Sequence, residues 1–189
     1  MEEKKKVPIG WPREKALMVA IGPSGSGKTK FFEGLDPERN LIVSYQDVCE
    51  EVDKKFGKKK VPTEHDYYEA YLAKVKNALE TTDKVVISDS ENMKREERAD
   101  LIGIAKDARR PAYAVVFQPD LDTLKKNYIN KYGEAALTPE KEKEIEGFLS
   151  MMNNLGPSIE SSFGSKVFTV PADGDPTKVK YAELNRDSI

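Results

Sequence analysis

The chain of 189 residues carries 31 Lys and Arg against 33 Asp and Glu, a formal net charge of −2. With 38% hydrophobic and 34% charged residues, it has enough apolar material for one domain with a two-faced sheet core, and no global basic field for nucleic acid. Cys49 is the only cysteine, which excludes an internal disulfide; no apolar run approaches a membrane span, and the N-terminus has no signal-peptide core, so the composition predicts a soluble, cytoplasmic protein.

Residues 1–15 are charged or broken by proline and read as a flexible lead-in, with Trp11 packing on the body. Lys4, Lys5 and Lys6 read as a solvated tail. A main domain is expected over 16–171 and a loop-like tail over 172–189. Ala16–Ile21 is an apolar run that reads as a buried strand. It leads into Gly22-Pro23-Ser24-Gly25-Ser26-Gly27-Lys28-Thr29, which satisfies G-x-x-x-x-G-K-[ST], the P-loop signature. Gly22, Gly25 and Gly27 free the backbone to turn its N–H groups inward, where Ser24 and Ser26 complete the cradle. Lys28 is placed to bridge the β- and γ-phosphates of ATP, and the Thr29 hydroxyl to ligate Mg²⁺. A short helix should run from Lys28 to about Gly34, ended by Asp36-Pro37.

Leu41–Ser44 reads as a second strand, and a helix is expected from Asp47 to Phe56. Thr63 caps a third helix that runs to Leu79, with Asp66 in the capping box and Tyr67, Tyr71, Val75, Ala78 and Leu79 on its core face. His65, the sole histidine, is expected on the surface. Val85–Asp89 reads as the third strand, 94–109 as a helix, Tyr113–Phe117 as the fourth strand and Leu121–Asn130 as a helix. Thr138 and Pro139 restart a helix, Gly156-Pro157 ends it, and Lys166–Val170 is the fifth strand. Strands alternating with helices predict an α/β fold with a mostly parallel five-stranded sheet, helices on both faces and a helical lid over about 125–140. In such sheets ligands bind at the carboxyl ends of the strands, so the P-loop, Asp47 and Asp89 should share one rim.

Phosphoryl transfer needs a base or orienting group for the acceptor, a metal, and cations over the moving phosphoryl group. Asp47 is the candidate base, with the N-cap of the following helix as its structural alternative. Asp89 could hold a metal-bound water or orient the acceptor, and could equally be a cap in the turn-like Ser88-Asp89-Ser90.

Taken together, Gly22–Thr29, Val43-Ser44-Tyr45-Gln46-Asp47, Val86-Ile87-Ser88-Asp89-Ser90-Glu91-Asn92, Val115-Val116-Phe117 and Leu124–Gly133 resemble the phage-type polynucleotide 5′-hydroxyl kinases and related P-loop kinases. The likeness runs in order over Leu17–Leu155. It implies a P-loop NTPase fold and an ATP-dependent, Mg²⁺-dependent phosphotransferase acting on a hydroxyl of a nucleic acid or nucleotide. Phage relatives phosphorylate hydroxymethylated pyrimidines in DNA, which implies a modified-base hydroxyl as one acceptor and the host cytoplasm as the location for a phage-encoded chain. A flipped base could stack on Tyr45, Tyr67 or Tyr68.

Two departures from the family pattern concern the acceptor and the lid. The family's base Asp falls on Gln46 or Asp47, and Glu50 stands where members that bind polynucleotide ends carry Arg. Where the family has a lid Arg, this chain offers Lys125, Lys126 and Lys131, of which Lys126 and Lys131 are the candidate catalytic cations. The slight net negative charge favours a small-molecule or nucleoside acceptor as the alternative, and a non-catalytic nucleotide-binding switch is the third reading. The clusters Lys58–Lys60, Arg109-Arg110 and Lys125-Lys126 either track phosphates in a groove or are solvated surface. No sequence feature specifies an oligomeric state.

Overall fold

The computed structural model describes residues 7–181. Its centre is β1 (Leu17–Ile21), five apolar residues that are all buried, because the sheet is covered on both faces. The remaining strands are β2 (Asn40–Ser44), β3 (Val85–Asp89), β4 (Ala112–Phe117), β5 (Val167–Val170) and β6 (Lys180–Tyr181). They lie in the order β2-β3-β1-β4-β5-β6, parallel except for β6. Among the described residues the sheet therefore has six strands, not five. The extra strand is a two-residue antiparallel edge in what reads as a loop-like tail, held where Tyr181 stacks on Phe168 at 4.3 Å. Two residues carry no periodicity, so only the tertiary contact reveals this strand.

Side chains alternate across the sheet. Leu17, Val19 and Ile21 face one layer, formed with α2 (Tyr45–Phe56), α3 (Glu64–Thr81), α4 (Arg95–Asp107) and α7 (Gly156–Phe163). Met18 and Ala20 face the other, with α1 (Lys28–Glu33) contributing Phe31 and Phe32. Trp11 belongs to this second layer: it is 6% exposed, and its indole N–H donates to Asn40 Oδ1 at 3.1 Å. Residues 7–15 are thus anchored through Trp11, while 1–6 and 182–189 of the expected lead-in and tail lie outside the described residues.

The lid stretch is a helical hairpin, α5 (Leu121–Tyr132) and α6 (Pro139–Asn154), joined by a 3-10 turn at Glu134–Ala136. Thr138 caps α6 and Pro139 sits in its first turn, as the sequence indicates. Gly156-Pro157 does more than end α6, because Pro157 lies in the first turn of α7. A proline that cannot continue one helix is well suited to begin the next. Helix α3 has the expected capping box between Thr63 and Asp66. Helix α2 starts two residues earlier than expected, capped by Ser44.

Candidate active site

Strand β1 delivers Gly22 directly into the loop, where space is scarce. A Cβ on Gly22 would lie 2.9 Å from Ser26 Oγ and 3.1 Å from Phe117 Cβ, so a larger residue would have to push the Ser26 hydroxyl and Phe117 aside. Gly25 and Gly27 hold φ of 85° and 86°, the left-handed region that turns the loop back toward α1. Lys28, 8% exposed, folds over the loop, and its Nζ donates to Gly22 O at 2.7 Å and Pro23 O at 2.8 Å. Burial lowers the Lys28 pKa to about 8, against the opposing pull of the Asp89 and Glu91 carboxylates.

Asp89 ends β3 and is buried, and its Oδ2 accepts from Thr29 Oγ1 at 3.1 Å. It is not a helix cap, since α4 begins after Lys94. Burial raises the Asp89 pKa; Lys28 and the Thr29 hydroxyl pull it down, and the carboxylates of Asp47 and Glu33 push it further up. A hydroxyl and a carboxylate oxygen 3.1 Å apart at the mouth of a phosphate loop suit Mg²⁺, which takes one or two protein oxygens and completes its shell with phosphate and water. The donor set fits the metal.

Asp47 is exposed in the first turn of α2, and its backbone N–H donates to Ser44 Oγ at 3.3 Å. Ser44 therefore performs the capping role that competes for Asp47, and the Asp47 charge is close enough to act on Asp89. Gln46 donates through Nε2 to Glu50 Oε1 at 3.3 Å. The phenol groups of Tyr67 and Tyr68 donate to Asp53 Oδ1 at 2.6 Å and Asp100 Oδ2 at 2.9 Å, and Tyr45 packs edge-on against Tyr71.

Between the P-loop and the α5–α6 hairpin lies a cleft of about 580 Å³. One wall is Ser24, Gly25, Gly27, Lys28, Thr29 and Glu91; the other includes Asn127, Tyr128, Lys131, Tyr132 and Lys141. Lys131 is thus on the cleft. Lys126 is exposed and absent from the wall, and Lys125 pairs with Glu142 at 3.6 Å. Lys141 reaches the cleft from α6, its Nζ 5.2 Å from the Tyr128 ring. Asn127 ties the hairpin to the loop, donating through Nδ2 to Gly25 O at 2.7 Å. Neither Lys141 nor Asn127 carries a local signal, because only the fold-back of the hairpin brings them to the loop.

The other basic clusters lie elsewhere. Arg110 precedes β4, at the end of the sheet opposite the P-loop, and donates to the carbonyls of Leu79 at 3.1 Å and Thr82 at 3.3 Å. Lys58–Lys60 follow the far end of α2, a 12-residue helix about 18 Å long. Arg109-Arg110 and Lys58–Lys60 therefore do not share a phosphate-tracking groove with the cleft. A buried cation the sequence does not advertise is Arg98, fully enclosed and donating to Asn92 O, Met93 O and Ser158 Oγ. It fixes the loop after β3, on which Glu91 sits.

The parallel sheet, the order β2-β3-β1-β4-β5 and the glycine loop after β1 define a P-loop NTPase fold. Residues 17–153 match the AAA domain family, to which the chain belongs. No curated protein matches the sequence. Among solved structures, Kti12 from Chaetomium thermophilum, in complex with ADP-AlF3, is 22% identical with a TM-score of 0.62, over 92% of this chain and 98% of that one. A gluconokinase from Sinorhizobium meliloti 1021 is 18% identical with a TM-score of 0.55, over 93% and 90%. The Pnkp1/Rnl/Hen1 RNA repair complex also matches, at 18% identity and a TM-score of 0.57, over 84% of this chain and 49% of that one. These likenesses establish a P-loop kinase-like fold. Among the described residues, no helix is long and apolar enough to cross a membrane.

Proposed function

We propose that the protein is an ATP-dependent phosphotransferase that moves the γ-phosphate to a hydroxyl group. The observation that carries this reading is the Thr29–Asp89 contact at the P-loop, with the Asp47 charge near enough to act on Asp89, beside a cleft that Lys131 and Lys141 line from the lid. Backbone N–H groups of the loop and the Lys28 ammonium bind the phosphates. Thr29 and Asp89 hold Mg²⁺, which supplies charge neutralisation on the phosphate oxygens when bound. Asp47 accepts the proton of the acceptor hydroxyl, and Lys131 supplies positive charge over the transferring group from the lid.

The acceptor we propose first is a hydroxyl of a nucleic acid or nucleotide, including a modified-base hydroxyl in phage DNA. The sequence resemblance supports it, as does the fold likeness to a component of an RNA repair complex. A small-molecule alcohol is the second reading. It is favoured by the acidic character of the rim around β2 and β3, where Asp47, Glu50 and Glu91 are exposed and a polyanion would meet repulsion. The fold likeness to a gluconokinase accords with it.

Transfer of labelled γ-phosphate from ATP with Mg²⁺ tests both. The acceptors are 5′-hydroxyl DNA and RNA, duplex DNA containing hydroxymethyluracil, nucleosides and simple sugars, with Lys28→Ala and Asp47→Asn beside the native chain. Label on a polynucleotide, reduced more than about 100-fold in both variants, establishes the first reading. Label on a small alcohol alone establishes the second. ATP binding without transfer to any of them favours a non-catalytic switch.

A further inference from the structure

Glu91 follows Asp89 by two residues and binds the phosphate loop in two ways. Its backbone carbonyl accepts from Gly22 N–H at 3.1 Å, and its side-chain Oε1 accepts from Ser24 N–H at 3.3 Å. The first bond belongs to the packing of the loops after β1 and β3. The second is different in kind, because a carboxylate sits on an amide of the loop whose amides exist to bind phosphate. The carboxylate is exposed, lines the cleft, and lies close enough to Lys28 for its charge to act on that ammonium. Lys28 is the residue that reaches the β- and γ-phosphates. Ser24 follows Pro23, whose carbonyl accepts from the Lys28 ammonium at 2.8 Å.

Two anions cannot share one N–H donor and one ammonium without strong repulsion in a partly enclosed site. We propose that Glu91 is the resident anion of the phosphate cradle, occupying a loop donor that a phosphate of the bound nucleotide takes. The carboxylate leaves Ser24 when that phosphate arrives. Glu91 is thus a residue of the nucleotide site that weakens the binding of the nucleotide's phosphates. The inference rests on the nucleotide-binding half of the proposed function and is independent of the acceptor.

The test is equilibrium binding of ADP and of the non-hydrolysable β,γ-imido analogue of ATP, each with Mg²⁺, to the full chain. Glu91→Gln keeps an oxygen able to accept from Ser24 and removes the charge; Glu91→Ala removes both. The backbone bond to Gly22 survives in each. In both variants the triphosphate analogue should bind about tenfold more tightly than to the native chain, the scale of one charge-assisted hydrogen bond. ADP, which brings its β-phosphate to the same ammonium, should also bind more tightly. Unchanged or weaker binding of the analogue to Glu91→Gln overturns the proposal. Lys28→Ala separates the two levels: if binding is lost there while Glu91→Gln matches the native chain, the inference alone fails. If no variant binds either nucleotide, the nucleotide-binding reading fails with it.

Discussion

The two regions flanking the P-loop bring different charges to it. The lid side of the cleft presents Lys131 and Lys141 from α5 and α6, with Lys141 paired to Glu144, while the rim after β2 and β3 presents Asp47, Asp89 and Glu91. The phosphates must be gripped from the lid and the loop, because the other rim offers them only a metal site. The same contrast separates the parts by rigidity of purpose. The loop after β3 is fixed by the buried Arg98 and by Asn92, whose Nδ2 donates to Ala20 O at 2.9 Å. The lid touches the loop chiefly through Asn127. An acidic, well-anchored rim beside a hairpin that brings Lys131 to the loop suits a reaction in which negative charge moves from one partner to the other between them.

The largest effect should come from the acidic side. Asp89→Asn keeps the Thr29 contact possible but removes the charge that holds Mg²⁺, and Mg²⁺-dependent transfer should fall about 100-fold. An unchanged rate with unchanged Mg²⁺ dependence would remove Asp89 from the metal site and break the comparison. Next comes pH. The Lys28 pKa is lowered to about 8 by burial, so the nucleotide-free protein loses this charge as pH rises through about 8. Binding above that point must recover a proton, and ADP affinity should fall toward tenfold per pH unit between about 8 and 10. A flat affinity across that range would mean that Lys28 keeps its charge and that the acidic rim outweighs its burial.

The smallest effects sharpen the basic side. Lys131→Ala should lower transfer about fivefold, and Lys126→Ala less than about twofold, because only Lys131 lines the cleft. Steady-state transfer by the two variants under saturating ATP reads the difference directly. The reverse order would show that the hairpin rearranges to bring Lys126 inward when nucleotide binds.

The nucleotide half of this site is legible in the sequence because its chemistry is local. Eight consecutive residues, Gly22–Thr29, contain the turn, the donors, the ammonium and the hydroxyl, and the short apolar run leading into them is the buried strand it reads as. The alternation of strands and helices likewise fixes the parallel sheet and places Asp47 and Asp89 at its carboxyl edge, since strand direction determines which ends meet. The helix caps at Thr63 and Thr138 are equally local and equally readable. What the tertiary structure decided involves residues far apart in the chain. Ser44 took the cap and left Asp47 exposed; Lys131 and Lys141, not Lys126, turned toward the loop; β6 pairs with β5 where Tyr181 stacks on Phe168. Glu91 is the plainest case, since in sequence it is one acid among many. Its meaning comes from a hydrogen bond to an amide 67 residues away, made possible by the pairing of β1 with β3. Local chemistry is written along the chain, whereas the choice among equivalent charges depends on which of them the packing carries to the loop.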